Sequence, residues 1–132
     1  MGQEPLVMDP IAAGAKLVRE LDQFATIKVA FWLKRDEDDE PHLYIASDCF
    51  GWDDLPLAYG EAQRILREAP SLALDYSQVG LLSGDDRLAA AAETFRDDRL
   101  GTRVRSQMFA GQYIAEAYVY PSIMSPNFPR AK

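Results

Sequence analysis

The chain is poor in the side chains that build redox centres and metal sites. Its 132 residues include one cysteine, Cys49, and one histidine, His42. A single cysteine excludes an internal disulfide and a multi-thiolate metal site. A zinc or iron site around His42 would lack the further nitrogen and sulfur ligands that these metals usually take. We therefore expect no metal and no cofactor.

Positive charge and long apolar runs are also scarce. Lys and Arg number 14 against 21 Asp and Glu, which gives a formal net charge of -7. A field of this sign repels phosphate backbones, so nucleic acid is a poor candidate for a partner. No apolar run reaches the roughly 18 residues of a membrane span, and the opening MGQEPLVMDP lacks the basic and apolar regions of a secretory signal. We expect a cytoplasmic protein without a membrane segment.

Motifs of the common catalytic sites are absent as well. The chain contains no GxGxxG, GxxxxGK(S/T), HExxH or GxSxG. The paired acids at 53–54 and 85–86 precede predicted helices, where carboxylates stabilise free amides. If Cys49 and His42 both lie in the second strand, they are about 23 Å apart at about 3.3 Å per residue, too far for a dyad. We expect Cys49 to be a small buried residue and the protein to be non-catalytic, although carboxylates distant in sequence can still converge as a hydrolytic site.

Hydrophobic residues, in contrast, make up 48% of the chain and are spaced for both helices and strands. We predict helices over 9–23, 55–69 and 85–96, and strands over 26–33, 43–49, 76–82, 102–108 and 112–120. This order, α-β-β-α-β-α-β-β, predicts an α+β fold with about five mainly antiparallel strands and the helices packed on one face. We expect a single domain over 9–120, an irregular segment over 1–8 and an extended proline-rich tail over 121–132.

The stretch KRDEDDEPH, residues 34–42, joins the first two predicted strands and carries five consecutive acids. Read as an EF-hand beginning at Asp36, it has Pro41 where the loop needs glycine and Ser47 where it needs glutamate. We therefore interpret 35–41 as a solvated turn. Matching the apolar faces of the two strands pairs Leu33 with Leu43 and Phe31 with Ile45.

The second face of the predicted sheet collects aromatic and charged residues. Strand alternation assigns to it Lys28, Trp32, Tyr44, Arg103, Arg105, Glu116, Tyr118 and Tyr120. Aromatic and arginine side chains are enriched at protein interfaces. Three alternatives stay open: loops or the tail cover this face, it forms a homodimer, or it binds a partner protein or a small anion. We expect function by self-association or partner binding through this face.

Three stretches also show a resemblance: DPIAAGAKLVREL, the AFWL strand and the ending RVRSQMFAGQYIAEAYVY. The ending contains the pattern G-x-x-I-x-x-A-Y-V/I-Y, represented by Gly111, Ile114, Ala117, Tyr118, Val119 and Tyr120. With these stretches the chain resembles a family of small bacterial α+β proteins of unknown function, and the whole match covers about half of the chain. The resemblance implies the same order of helices and strands and a bacterial origin. It brings no catalytic residue with it.

Overall fold

Helices and strands follow one another in the order that the sequence predicts. The structure is a computed structural model and describes residues 8–51, 53–69 and 74–129. Its elements are α1 (Met8–Phe24), β1 (Val29–Lys34), β2 (His42–Ser47), α2 (Leu55–Glu68), a 3-10 turn (Tyr76–Gln78), β3 (Val79–Ser83), α3 (Arg87–Phe95), β4 (Thr102–Phe109) and β5 (Gln112–Val119). The α+β class and the order of elements are confirmed. The predicted irregular segment over 1–8 lies outside the described residues except for Met8, where α1 begins.

The strands form one sheet in the order β3-β2-β1-β5-β4. Neighbouring strands are antiparallel except β2 and β3, which are parallel and are connected through α2. The prediction of a mainly antiparallel sheet is therefore confirmed. β1 lies at the centre and β4 at one edge, so β4 is the strand most open to solvent. No helix in the described part of the chain is long and apolar enough to cross a membrane.

Helices cover both faces of the sheet. Trp32 belongs to one core cluster with residues of α1 and α2. Its neighbour Phe31 points the other way and packs with Ala89 and Ala92 of α3 in a second cluster. The prediction that all helices pack on one face is wrong for α3. Every residue of β1 is buried, so the central strand needs apolar cover on both sides.

The register of the first hairpin differs by one residue from the prediction. The structure pairs Trp32 with Leu43, whereas the prediction pairs Leu33 with Leu43 and Phe31 with Ile45. A shift of one residue exchanges the two faces of β2 relative to β1. The predicted register is wrong because matching of apolar faces fixes a register only where one face of the strand is buried and the other meets water. Both faces of β1 are buried.

Residues 121–129 form turns that pack against the core, where the sequence predicts an extended tail. The ring of Phe128 is buried and lies 5.4 Å from the ring of Tyr120. Arg19 of α1 donates a hydrogen bond to the carbonyl of Pro129, and its guanidinium lies 5.6 Å from the Phe128 ring. The tail departs from an extended path because Phe128 gains an apolar site between α1 and the sheet.

A chain of buried hydrogen bonds joins α1 to the centre of the sheet. Trp32 Nε1 donates to Tyr120 Oη at 2.9 Å, and that hydroxyl donates to the carbonyl of Ile11. The exposed fractions of Trp32 and Tyr120 are 0% and 1%. Burial raises the pKa of Tyr120 far above its usual value, so its hydroxyl stays a donor. Gly14 permits this approach, because a Cβ there would lie 2.5 Å from Tyr120 Oη and 3.1 Å from Trp32 Nε1.

Gly14→Ala should therefore destabilise the protein. Overpacking a core costs about 1–3 kcal/mol, more than the roughly 1 kcal/mol that alanine gains over glycine inside a helix. Gly60→Ala in α2 is the matched control, because a Cβ at Gly60 meets nothing within 4 Å. We expect the free energy of unfolding, measured with urea, to fall for Gly14→Ala and to rise for Gly60→Ala. An equal gain in both variants would contradict the close packing of α1.

Candidate interaction surface

The eight residues that the sequence assigns to one sheet face do not form one surface. Trp32 and Tyr120 lie inside the core cluster between the sheet, α1 and Phe128. Their rings therefore contribute to folding and are closed to a partner in this structure. This part of the face matches the alternative in which the tail and other segments cover it.

Two further residues lie away from that face. Tyr44 points to the α3 side because of the shifted register, and its ring stacks on Phe31 with centroids 5.6 Å apart. Lys28 donates from Nζ to the carbonyl of Gly84 at 3.2 Å and lies 3.9 Å from a carboxylate oxygen of Glu93 in α3. Its ammonium therefore ties the start of β1 to α3. The prediction that Tyr44 shares a face with Trp32 is wrong.

Arg103, Glu116 and Tyr118 do come together, at the boundary between core and solvent. Arg103 Nη1 donates to Glu116 Oε2 at 3.1 Å, and its guanidinium lies 5.8 Å from the Tyr118 ring. Glu116 is buried directly opposite Lys34, which is also buried. Burial raises the pKa of Tyr118, and the positive charge of Arg103 offsets part of that rise. This cluster satisfies charges that the fold has taken out of water.

Arg103 and Arg105 are both exposed, but they differ in their contact with the buried carboxylate of Glu116. Arg105 lies directly opposite Glu116 in the β4–β5 register, but the Glu116 carboxylate bonds to Arg103 instead. Within the described part of the chain, Arg105 takes part in none of the ion pairs. Its charge is therefore available to a binding partner.

A break in strand alternation lies next to Arg105. Val104 and Phe109 both pack on the α3 side of the sheet although they are an odd number of residues apart. Between them, Ser106 has a φ of 54°, a left-handed conformation that is uncommon outside glycine. Because the alternation inverts there, Arg105 and Met108 lie on the same face of β4, opposite the α3 side. Simple alternation would place them on opposite faces.

Met108 and Tyr113 form an exposed apolar pair that the sequence prediction missed. They lie directly opposite each other on β4 and β5, with 58% and 55% of their surfaces exposed. Tyr113 Oη donates to Ser106 Oγ at 3.1 Å, which holds the ring along the strand pair. We call Arg105, Ser106, Met108 and Tyr113 the hairpin surface. One feature of the sequence could have indicated this surface. The tight turn predicted at 110–111 fixes the register of β4 and β5, and that register places Met108 opposite Tyr113.

The acidic turn occupies the position predicted for it. All of 36–40 is exposed, and a hydrogen bond of 3.1 Å from the Asp39 amide to the Asp36 carbonyl closes the turn. Arg35 Nε donates to Gln112 Oε1 at 3.3 Å, so the turn lies beside the start of β5. In the ranges that the structure describes, no three His, Cys, Asp or Glu side chains are grouped to hold a metal ion.

The predicted burial of Cys49 is wrong, because Cys49 is exposed. The amide of Cys49 donates to Ser47 Oγ at 3.0 Å, which forms a turn after β2. Phe50, one residue later, takes the buried position. The thiol is left at the surface because the larger apolar ring fills the core.

A cleft of about 310 Å³ lies between α1, the start of β1 and residues 121–128. Its polar groups are already bonded within the protein. Asp22 Oδ1 accepts from the Ile27 amide at 3.0 Å. Arg96 donates to the Lys28 carbonyl at 2.6 Å and to Asp98 Oδ1 at 3.0 Å. The arrangement therefore supports packing of the tail better than binding of a ligand.

Comparisons with known proteins leave the family open. No family model, curated protein or solved structure matches the chain. The resemblance to small bacterial proteins of unknown function stays a prediction.

Glu116→Ala, which removes the partner of Arg103, and Arg105→Ala should differ in their effect on the free energy of unfolding. Glu116→Ala removes the carboxylate bound by Arg103 and should lower the free energy of unfolding by about 1 kcal/mol, because the Arg103 side chain is 47% exposed and water replaces part of the lost bond. Arg105→Ala should change it by less than about 0.5 kcal/mol, as exposed positions do. Urea unfolding of both variants measures the difference. A large loss for Arg105→Ala would show that its charge is part of the internal cluster.

Proposed function

We propose that this protein is a non-catalytic domain that self-associates through the hairpin surface. The observation that carries the proposal is the paired exposure of Met108 and Tyr113 beside Arg105. Methionine, aromatic and arginine side chains are enriched at protein interfaces. Most soluble oligomers are built from copies of one chain, so a second copy is the first partner to consider.

The hairpin surface rests on a well-packed part of the fold. β5 pairs with the central strand β1, and Phe109 and Ile114 anchor the opposite side of the β4–β5 hairpin in the α3 cluster. The hydrogen bond between Tyr113 and Ser106 restrains the exposed ring. Side chains that are already held in place lose less conformational entropy on binding. The surface is therefore arranged for association in the free chain.

The two other functions that the sequence leaves open, binding of a small anion and hydrolysis, have less support. Arg96, the arginine in the wall of the cleft, already donates to a carbonyl and to a carboxylate. The buried carboxylate of Glu116 is bound by Arg103. A cytoplasmic location and a bacterial origin belong to the same proposal, and they rest on the composition of the chain and on the resemblance.

Replacing the apolar pair should weaken self-association. We expect wild-type protein to approach twice the monomer mass as its concentration rises in size-exclusion chromatography with light scattering. Met108→Ser/Tyr113→Ser should raise the dissociation constant at least about tenfold, because each lost contact is worth on the order of 1 kcal/mol.

The matched control is Leu57→Ser/Met124→Ser, which removes two other exposed apolar side chains, 69% and 87% exposed, from outside the hairpin surface. We expect this control to associate like wild type, and thermal unfolding should show that both variants are folded. A wild type that stays monomeric across the whole concentration series would overturn the proposed function.

A further inference from the structure

We propose that the space between α1 and the sheet is a peptide-binding site, occupied in this structure by the end of the chain's own tail. The ligand that it fits is a segment of a partner protein in which an aromatic residue is followed directly by proline. This inference goes beyond the proposed function, because the site shares no residue with the hairpin surface. It is carried by the contacts of Phe128, by the independence of the tail from the sheet and by the room that the tail leaves.

The contacts of Phe128 define the chemistry of the ligand. The Phe128 side chain is buried, and the centre of its ring lies 5.4 Å from the centre of the Tyr120 ring. The guanidinium of Arg19 lies 5.6 Å from the centre of the Phe128 ring and donates a hydrogen bond to the carbonyl of Pro129. An aromatic anchor in a buried pocket, with an arginine against it, is typical of the centre of a binding site. The site therefore recognises an aromatic ring together with the carbonyl of the next residue.

Prolines on both sides of Phe128 restrict the conformations of the free segment. Pro126 lies two residues before Phe128, and Pro129 lies directly after it. Each proline fixes its own φ, and the residue before a proline is restricted to extended conformations. A segment restricted in this way loses less entropy when it binds. A proline after the aromatic residue is therefore part of the ligand that the site favours.

The tail is joined to the rest of the fold through loops and side chains rather than through the sheet. Residues 121–129 belong to no helix or strand. Ser125 Oγ and Asn127 Nδ2 both donate to the carbonyl of Arg99, at 2.7 and 2.9 Å. The tail can therefore leave its site without breaking the pairing of any strand, and segments of this kind open at the lowest cost in folded proteins.

The turns within the tail are closed by its own residues. The amide of Ser125 donates to the carbonyl of Ser122 at 2.9 Å, and the amide of Phe128 donates to the carbonyl of Ser125 at 3.1 Å. The amide of Asn127 donates to Ser125 Oγ at 3.0 Å. None of these three bonds involves the sheet or a helix. A separate peptide of the same sequence can therefore adopt the same turns when it binds.

The tail fills only part of the groove beside α1. The cleft of about 310 Å³ is lined by Ile123, Met124 and Phe128 on the tail side and by Val18 and Asp22 on the α1 side. Met124 remains 87% exposed. A partner segment with other apolar side chains before its aromatic residue would bury surface that the tail leaves in water. This difference allows a partner to displace the tail.

The docked tail sets an upper limit on the dissociation constant of the same segment as a free peptide. A tethered segment stays docked only if that constant is lower than the effective concentration of the tethered segment. Effective concentrations for short flexible tethers are in the millimolar range, so the peptide should bind the open site with a dissociation constant of about 1 mM or lower.

Phe128→Ala removes the anchor of the tail in the full chain and leaves the site open to a free peptide. The peptide SIMSPNFP, which has the sequence of 122–129, should bind this variant with a dissociation constant of about 1 mM or lower. It should bind wild type at least about threefold more weakly, because the docked tail competes for the site. A control peptide carrying Phe128→Ala should bind neither protein. Amide chemical shifts of α1 in two-dimensional NMR measure the binding.

The contribution of Arg19 is tested by a second pair of variants. In the Phe128→Ala chain, Arg19→Lys keeps the positive charge but loses the planar group that lies against the ring, so the peptide should bind at least about threefold more weakly. Arg64→Lys is the matched control, since Arg64 pairs with Glu61 and Glu68 within α2, and should leave binding unchanged. No shift at about 5 mM peptide, or equal binding of the control peptide, would overturn the site. Equal binding by the two lysine variants would overturn recognition by Arg19.

Amide hydrogen exchange of wild type tests the opening of the tail without a substitution. The Phe128 amide should be at least about tenfold less protected than the amide of Tyr120, which donates to the carbonyl of Ala30 at 3.0 Å. Free peptide at about five times its dissociation constant for the open site traps the open tail. Exchange at Phe128 should then become about sixfold faster, while exchange at Tyr120 is unchanged. Equal protection of the two amides, with no effect of the peptide, would overturn the inference, because the tail would then be a fixed part of the core.

Discussion

The hydroxyl of Tyr120 accepts from Trp32 and donates to the carbonyl of Ile11, and this one group sets the distance between α1 and the sheet. Its two partners come from β1 and from α1, so the hydroxyl ties the end of the sheet to the start of the domain. Neither ring has water as an alternative partner, because both are buried. An unsatisfied group at this depth would cost about 1–3 kcal/mol. The absence of a side chain at Gly14 is what allows the three segments to meet. Because these aromatic rings are used for folding, the surface that we propose for self-association lies farther along β4 and β5.

Much of the fold could be predicted from local patterns. The helical spacing of Ile11, Ala15, Val18 and Leu21 predicts the buried stripe of α1, and the structure buries all four. The hairpin register could not be predicted in the same way. Apolar alternation distinguishes the two faces of a strand only where one face meets water, and β1 is buried throughout. Which face α3 would cover depends on the crossover from β3, a tertiary feature without a local sequence signal.

The candidate surface was predictable in part. Alternation places Arg103 and Arg105 on one face of β4, as observed, but it places Met108 on the other. The left-handed conformation of Ser106 reverses this assignment, and serine carries no strong signal for such a conformation. Burial of Trp32 and Tyr120 could not be inferred from the strand pattern either, because it depends on α1 and Phe128 packing over the same face. Trp32 and Tyr120, which look most like binding residues in the sequence, are therefore core residues. The exposed residues Met108 and Tyr113 lie on either side of the turn at 110–111.

The most direct test of this division between core and surface is amide hydrogen exchange at two protein concentrations, one well below and one well above the dissociation constant. We expect slower exchange at the higher concentration in residues 105–113. We expect unchanged protection in α1 and around Trp32, which are buried in each single copy. Concentration-dependent protection of α1 and Trp32, with no change in 105–113, would contradict the proposed surface, because the covered aromatic face would then be the contact.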